Sequence, residues 1–312
     1  FSMSQNIDEK ITSSDVALNS QENLGFDIQN QEKKDQRKKI IIKVVVYALL
    51  TFVAILSIFP FYWMIITSLK TTPEYEATVP TMFPHTIDFS NYADAFSYSN
   101  NLFVETLINS LVVGILSTAI GLIMTIIGAY AFAKMQFKGK NFVFTLMLMT
   151  MMIPGELFTT TNFITTTRDF GWSDTYTIMI LPFLVSIYYI YLLRNAFLQI
   201  PDTLYKAAKV DGCSDAKYLI KVMVPLSAPT IVSITILKLI GTWNSYMWPQ
   251  LVNSSEWRLV SNWMASCGIT SEGTDYPMKM AAALIVSIPL FIVFLFFRKY
   301  IMKGVSKSGI KG

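Results

Sequence analysis

The chain has 312 residues, of which 53% are hydrophobic and 15% are charged, and its formal net charge is +4. A soluble globular domain usually carries about 25% charged residues. Together with a mean hydropathy of +0.45, this composition excludes an ordinary soluble domain and predicts an integral membrane protein. The sequence shows no nucleic-acid footprint, so we interpret the positive charge as a signal of membrane topology.

The first 39 residues are polar and rich in Ser, Asn, Gln, Asp and Lys. They carry too little apolar surface to fold alone, so residues 1–39 are predicted to form a disordered tail. The remainder, residues 40–312, is predicted to form a single transmembrane domain.

Six apolar stretches lie within that domain, and each is long enough for a membrane helix, which needs roughly 20 residues. Backbone groups in lipid must find partners within the protein, so these stretches are predicted to be helices and the fold all-α. The predicted spans are 44–68, 107–133, 141–165, 176–197, 226–249 and 280–297.

Basic and acidic loops alternate along the chain. The segment before the first stretch, the loops after the second and fourth, and the segment after the sixth are basic, whereas residues 70–106 hold Lys70 against several acids. Basic loops stay in the cytoplasm, so both termini are predicted to be cytoplasmic. Cys213 would then lie inside, and Cys267 outside, where we expect an external thiol reagent to reach it.

No pattern typical of an enzyme is present. The sequence lacks a G-x-x-x-x-G-K-[ST] loop for ATP, and His85 stands alone with no Cys or His cluster at metal-binding spacing. The chain is therefore not expected to be catalytic or to bind a metal.

The longest polar segment of the second half covers residues 201–229 and reads as a helix, a sharp turn and a second helix. Gly212 is predicted to form the turn, because glycine adopts positive φ freely. Ser214 or Asp215 is predicted to cap the second helix, and Pro225 to end it.

This segment resembles the EAA loop of ABC-importer permeases, whose motif reads E-A-A, three residues, G, nine residues and I-x-L-P. Ala207 and Ala208 precede Gly212 at that spacing, and Pro225 closes the match. The departure is Lys206, where the family usually has Glu. By resemblance, a cytoplasmic ATPase docks on this loop. The implied coupling residues are Tyr205, Lys206, Ala207, Ala208, Asp211, Gly212 and Pro225.

Other segments look like parts of sugar-importer permeases of the maltose type, in the same order and spacing. These segments are 107–118, 128–140, 151–156, 241–249 and 304–312. The resemblance covers residues 40–312 and implies the six-helix, MetI-like fold of type I ABC importers in a prokaryotic cell membrane. It implies as partners a second homologous permease, two cytoplasmic ATPases and an extracytoplasmic sugar-binding protein. It implies no cofactor on this chain, since ATP and Mg²⁺ would be bound by the ATPases.

Pro154 and Gly155 interrupt the third stretch and precede Glu156 and a run of threonines. Proline breaks or kinks a helix, and membrane proteins tolerate such breaks where they line a cavity or pack within protein. We expect Glu156 to be buried or to line a substrate path, whereas the threonines could equally be the end of a helix.

Lys238 lies near the middle of the fifth stretch. A central lysine costs about 2.5–3.5 kcal/mol on insertion, which the surrounding aliphatic residues offset, so it should not face lipid. At 100° per residue, three polar residues share its side and two aromatic residues flank them, a combination that suits a sugar path. The predicted path residues are Thr235, Lys238, Thr242, Ser245, Tyr246 and Trp248. The alternative is a contact with a partner helix, which polar residues also stabilise.

The sequence thus predicts a permease subunit of an ATP-driven sugar importer. An ion-coupled secondary transporter is the alternative, although Glu156 is the only clear intramembrane acid. A receptor-type membrane protein without transport activity is a third reading.

Overall fold

The computed structural model describes residues 38–98, 102–271 and 273–309, with side chains described through residue 298. Within these ranges the regular secondary structure is helical except for one short antiparallel hairpin. The predicted all-α class therefore describes the fold apart from this hairpin. The predicted tail lies outside the described residues apart from its last two positions, which begin the first helix.

The helices are α1 (Lys38–Ser68), α2 (Thr72–Tyr75), α3 (Ser90–Ser97), α4 (Leu102–Ala133), α5 (Lys140–Thr150), α6 (Thr159–Phe163), α7 (Tyr176–Ile180), α8 (Ile187–Leu198), α9 (Asp202–Val210), α10 (Asp215–Tyr218), α11 (Val224–Leu226), α12 (Ala228–Trp243), α13 (Met247–Val252), α14 (Val260–Ser266) and α15 (Tyr276–Gly309). Short 3-10 segments cover Gly155–Phe158, Leu181–Phe183 and Ser255–Trp257, and π turns cover Ile164–Asp169 and Leu219–Met223. The strands are β1 (Ile269–Thr270) and β2 (Gly273–Thr274).

The chain divides into one unit that ends at Trp63 and a second that begins at Met64. The first unit contains most of α1, whose large apolar side chains as far as Phe61 are exposed on every side of the helix. A helix that is apolar all round is suited to lipid or to burial against other protein.

The second unit is built around α4, which packs against α8 and α12. Most residues that α4 buries are small, among them Gly114, Ser117, Gly121 and Ala129. Without a hydrophobic driving force between helices in lipid, small residues permit the close backbone approach that stabilises a helix pair. Ser117 has a short side chain and Gly121 has none. These two positions lie one turn apart and therefore set how closely α12 can approach α4.

Three described helices are long and apolar enough to cross a membrane without a break, namely α1, α4 and the part of α15 through Arg298. Three further candidate spans are bent: Lys140–Thr150 with Gly155–Asp169 by 85°, Tyr176–Phe183 with Ile187–Leu198 by 48°, and Asp215–Leu226 with Ala228–Trp243 by 81°. The break predicted at Pro154 is confirmed. The stretch predicted at 176–197 is also bent, and the helix within the stretch predicted at 226–249 begins after a second bend and ends at Trp243. Pro182 and Pro229 lie beside those two breaks, where each removes a backbone donor.

The second helix of the polar hairpin does not end at Pro225, as its sequence predicts. A π turn over Leu219–Met223 precedes the proline, the helix continues to Leu226, and the break falls at Ser227. Proline cannot donate to the carbonyl four residues earlier, and the wider π turn accommodates that loss without stopping the chain.

Cys267 is buried in a cluster with Trp263 and Met278. Burial raises the pKa of its thiol to about 12. The thiolate is the nucleophile in thiol labelling, so the expectation that an external reagent reaches Cys267 is wrong for the folded chain.

Candidate functional site

A cavity of about 250 Å³ lies between the middle of α4, the break that separates α7 from α8, and the end of α12 with α13. Its polar lining comes from Ser117, Ser186, Tyr189, Lys238, Thr242 and Ser245. Phe183 and Trp248 add aromatic rings. The cavity therefore offers several hydroxyl groups and ring surfaces with one cationic side chain.

Lys238 is 7% exposed. Its ammonium group forms hydrogen bonds at the break in the fourth candidate span, between Tyr176–Phe183 and Ile187–Leu198. The Nζ atom donates to the carbonyl of Phe183 at 3.0 Å and to that of Leu184 at 3.2 Å. Carbonyls at a helix end lack an intrahelical partner and need another donor. An ammonium group has three donors, so two are committed to the break and one remains for the cavity.

Gly121 of α4 makes room for this arrangement. A Cβ atom at Gly121 would collide with the Lys238 side chain and with the Leu184 carbonyl. The approach of α4, α12 and the break is thus set by a residue without a side chain, opposite a buried charge.

Two hydroxyl groups on neighbouring helices meet above Lys238. Thr242 Oγ1 donates to the Lys238 carbonyl at 3.0 Å and lies 3.3 Å from Ser117 Oγ. Because the proton of Thr242 is committed to its own helix, Ser117 donates in this pair. Both oxygens keep lone pairs that can accept a hydrogen bond from a ligand hydroxyl.

Trp248 reaches the cavity through a turn and not along a helix. Helix α12 ends at Trp243, and the chain turns before α13 begins at Met247. Trp248 Nε1 donates to the Ile178 carbonyl at 3.0 Å, and its ring meets Phe183 edge-on at 5.5 Å. Ser245 lies in the turn and lines the same cavity.

Of the predicted path residues, the structure brings Lys238, Thr242, Ser245 and Trp248 together. It does not bring Thr235, Tyr246 or Glu156 into this cavity. The Thr235 hydroxyl donates to the Ile231 carbonyl of its own helix at 2.9 Å, and Tyr246 is exposed. The helical projection placed Tyr246 beside the cavity because it assumed that α12 continues to residue 249.

Glu156 is exposed on the 3-10 segment, so the expectation of burial is wrong within this chain. The sequence reading missed Ser117, Ser186 and Tyr189. Hydroxyl residues within apolar stretches were the available signal, but one chain offers many of them and the sequence does not say which face each other.

The polar hairpin forms as predicted. Helix α9 ends at Val210, Gly212 has φ +69°, and the Ser214 side chain accepts from the Lys217 amide at 3.3 Å as the cap of α10. Positive φ is a conformation that other residues adopt at a cost. Lys206, Ala207, Asp211 and Pro225 are exposed, whereas Tyr205 and Ala208 are half-buried.

Asp215 joins the two helices of the hairpin to α4. Its Oδ1 accepts from Tyr205 at 2.9 Å and from Tyr130 of α4 at 3.2 Å, and Lys209 lies 3.0 Å away. The hydrogen bond with Asp215 raises the pKa of Lys209, because the carboxylate stabilises the charged ammonium group.

A second tie joins the start of α9 to the end of α4. Lys134 contacts Asp202 at 2.6 Å and the Ile200 carbonyl at 3.0 Å. Its hydrogen bond to Asp202 lowers the pKa of that carboxyl group. The hairpin is therefore held to the end of α4 at two points, Asp202 at its start and Asp215 just after its turn, while the outer face of α9 stays uncovered.

Residues 118–307 match the family described as "Binding-protein-dependent transport system inner membrane component". The chain belongs to this family. It is 30% identical to the arabinooligosaccharides transport system permease protein AraQ of Bacillus subtilis (strain 168). That alignment extends over 261 residues and covers 83% of this chain and 92% of AraQ. The chain is 31% identical over 262 residues to the trehalose transport system permease protein SugB of Mycobacterium tuberculosis (strain CDC 1551 / Oshkosh), covering 82% and 93%.

The fold also matches a chain from a crystal structure of a bacterial ABC transporter involved in the import of alginate. The TM-score is 0.73 at 25% identity, and the match covers 85% of this chain and 98% of that one. This permease therefore has the MetI-like fold of ABC importers, and the prediction of that family from the EAA-like loop is confirmed. Members of this family are non-catalytic inner-membrane permease subunits, and the three straight helices and three bent pairs described above suit a multi-pass protein.

Replacing Lys238 with Met tests the role of the ammonium group in the break. The change keeps an unbranched side chain only one atom shorter but leaves two carbonyls unpaired, so we expect a loss of about 1–3 kcal/mol in the free energy of unfolding. Thermal unfolding of the purified permease measures it. Thr235→Val, which removes a hydroxyl bonded only within α12, should change stability less. An unchanged midpoint for Lys238→Met would contradict the role in the break.

Proposed function

We propose that this permease forms half of the translocation path of an ATP-driven importer for a sugar or an oligosaccharide. The observation that carries the proposal is the cavity, where the hydroxyls of Ser117, Thr242 and Ser245 lie beside the rings of Phe183 and Trp248. Sugars need hydrogen-bonding groups at their hydroxyls and flat apolar surfaces at their ring faces. The names of AraQ and SugB, both carbohydrate permeases, support the same substrate class.

The proposed topology has six spans with both termini in the cytoplasm. Three straight helices and three bent pairs have the length and composition that six spans require, and the alternation of basic and acidic loops supports this orientation. The bent pairs support alternating access, because breaks in membrane helices occur where they line a cavity.

The hairpin α9–α10 is proposed to be the docking element for the cytoplasmic ATPases. Its exposed face includes Lys206, Ala207 and Asp211, and small side chains permit close approach of a partner. ATP and Mg²⁺ would be bound by those ATPases, with no cofactor on this chain. The charge-reversal variant Lys206→Glu identifies the group that Lys206 meets. It should preserve docking if the ATPase offers an arginine and weaken docking if the ATPase offers an acid.

In this proposal, helix α4 transmits a displacement of the hairpin directly to the cavity. Asp215 and Lys134 fasten the hairpin to the end of α4, and Ser117 of the same helix lines the cavity. Tyr130 and Ser117 are 13 residues apart, or about 20 Å along a helix that rises 1.5 Å per residue. ATP-driven movement of the hairpin would thus reach the cavity through one rigid element.

A second homologous permease and an extracytoplasmic sugar-binding protein complete the proposed assembly. One solved structure with a similar fold is a bacterial alginate ABC transporter in complex with an alginate pentasaccharide-bound periplasmic protein. We propose that Glu156 and Tyr246, which are exposed in this chain, line the path on the side that the second permease covers. The comparisons give no support to an ion-coupled transporter.

Loss of a cavity hydroxyl should weaken transport. We expect Ser245→Ala and Thr242→Val each to lower sugar uptake by about two- to tenfold, because one hydrogen bond contributes about 0.5–1.5 kcal/mol. Ser233→Ala is the matched control, since that hydroxyl bonds only to the Pro229 carbonyl of its own helix. Uptake and sugar-stimulated ATP hydrolysis by the reconstituted complex measure the effect. Equal losses in all three variants would mean that the cavity is not the sugar site.

The topology is tested with single cysteines in a Cys213→Ser background, where the buried Cys267 can stay. Thr78→Cys in the predicted outer loop should react with an impermeant maleimide in intact cells. Lys138→Cys in the predicted inner loop should react only after permeabilisation. Both positions are exposed on the protein surface, so the side of the membrane on which each lies decides the result. The opposite pattern would refute the orientation.

The hairpin turn is tested by Gly212→Val against Gly212→Asn. No atom lies within 4 Å of a Cβ at this position, so the substitutions differ in backbone preference and not in packing. Valine in the left-handed region costs about 1–2 kcal/mol, whereas asparagine visits it readily. We expect the valine variant to lose ATPase subunits on purification while the asparagine variant keeps them. A fully coupled valine complex would show that the turn does not position the docking helix.

A further inference from the structure

A second pocket lies outside the cavity, at the end of the molecule where the hairpin is fastened. It measures about 460 Å³ and sits where three helices of candidate spans end or begin: α4 ends at Ala133, α5 begins at Lys140 and α8 ends at Leu198. In a membrane, the ends of spans lie at the level of the lipid headgroups. The pocket is therefore placed where a lipid can enter it from the side.

Two cationic side chains of this pocket are held in place by backbone carbonyls and a ring. Lys140 Nζ donates to the Met135 carbonyl at 2.9 Å and to the Ala133 carbonyl at 3.3 Å. Arg194 Nε donates to the Phe132 carbonyl at 3.0 Å. The Arg194 guanidinium group also lies over the Phe144 ring, 4.2 Å from its centroid. These contacts orient both charges but neutralise neither.

No carboxylate pairs with these two cations in the part of the chain that the structure describes. The ion pairs found there join Lys134 to Asp202 and Lys209 to Asp215. Arg194 uses one of its five N–H donors on the protein, so its remaining donors are available to a ligand. A fixed arginine with a neighbouring lysine and no counter-ion is the arrangement that binds phosphate groups.

The rim of the pocket combines the polar side chains of Gln136 and Asn141 with three exposed apolar ones. Phe142 is 68% exposed, Leu198 is 47% exposed and Phe137 is 44% exposed. A free inorganic anion gains nothing from these apolar side chains, whereas a ligand with a phosphate group and hydrocarbon chains is matched at both ends. Basic pockets between membrane helices at the cytoplasmic side are suited to anionic headgroups.

We propose that this pocket binds the phosphate group of an anionic phospholipid, with Lys140 and Arg194 as the phosphate ligands and the acyl chains along Phe142 and Leu198. Arg194 belongs to α8, which leads into the hairpin, and Lys140 bonds to the end of α4. A bound lipid therefore stabilises the end of the molecule to which the hairpin is fastened. This assignment does not depend on which substrate the permease carries.

The test uses the full chain in the assembly with which it purifies, in nanodiscs of phosphatidylcholine alone or with one-fifth phosphatidylglycerol. Lys140→Gln and Arg194→Gln should each lower retention of phosphatidylglycerol about fivefold, measured by native mass spectrometry, and should abolish the rise in unfolding temperature that this lipid produces. Lys138→Gln is the matched control, because Lys138 is an exposed basic residue of the same loop that does not line the pocket.

Lys140→Arg keeps the charge and should retain the lipid, which separates loss of the site from loss of folding. The unfolding temperature in phosphatidylcholine alone checks that each variant folds. An equal loss of lipid in Lys138→Gln would overturn the proposal in favour of diffuse attraction to the surface. Stabilisation by inorganic phosphate equal to that by the lipid would assign the pocket to free phosphate. Loss of an ATPase subunit with unchanged lipid retention would assign it to a protein contact.

Discussion

A break in a membrane helix leaves backbone carbonyls without partners, and lipid supplies none. In this permease the break between α7 and α8 is closed by the ammonium group of Lys238, which donates to the carbonyls of Phe183 and Leu184. The same contact satisfies a charge that would be costly to bury alone. Two unfavourable features of the sequence, a central lysine and an interrupted span, therefore stabilise each other.

The geometry around that contact also creates the cavity. Gly121 lets α4 approach Lys238, and the bend of 48° between Tyr176–Phe183 and Ile187–Leu198 separates helices that would otherwise pack along their full length. Space remains above Lys238, where Ser117 and Thr242 face each other. A polar cavity within an apolar protein is thus a consequence of where the span is broken.

Helix α4 links the separate functional regions. One part of it lines the cavity through Ser117, and its end receives the contacts of Tyr130 with Asp215 and of Lys134 with Asp202. The carbonyls just before and after its end accept from Arg194 and Lys140. Cationic side chains such as Lys134, Lys140 and Arg194 are stabilised by the helix dipole at a helix C-terminus. They also make this end of α4 the place where hairpin, neighbouring helices and lipid headgroups meet.

The membrane class, the apolar stretches, the turn at Gly212 and the family could all be predicted from the sequence, because each depends on local composition or on spacing within one segment. The sequence also located Lys238 as a residue that should not face lipid, since the cost of a charge in a membrane is a property of the residue. The contacts of Lys238 could not be predicted in this way, because the carbonyls of Phe183 and Leu184 are 55 and 54 residues away in the chain and only folding brings them close. The helical projection failed for Tyr246 because α12 ends at Trp243, and a periodicity argument holds only as far as the helix continues. Ser117 and the pocket at Lys140 and Arg194 were not foreseen, since their partners come from other helices and only packing brings them together.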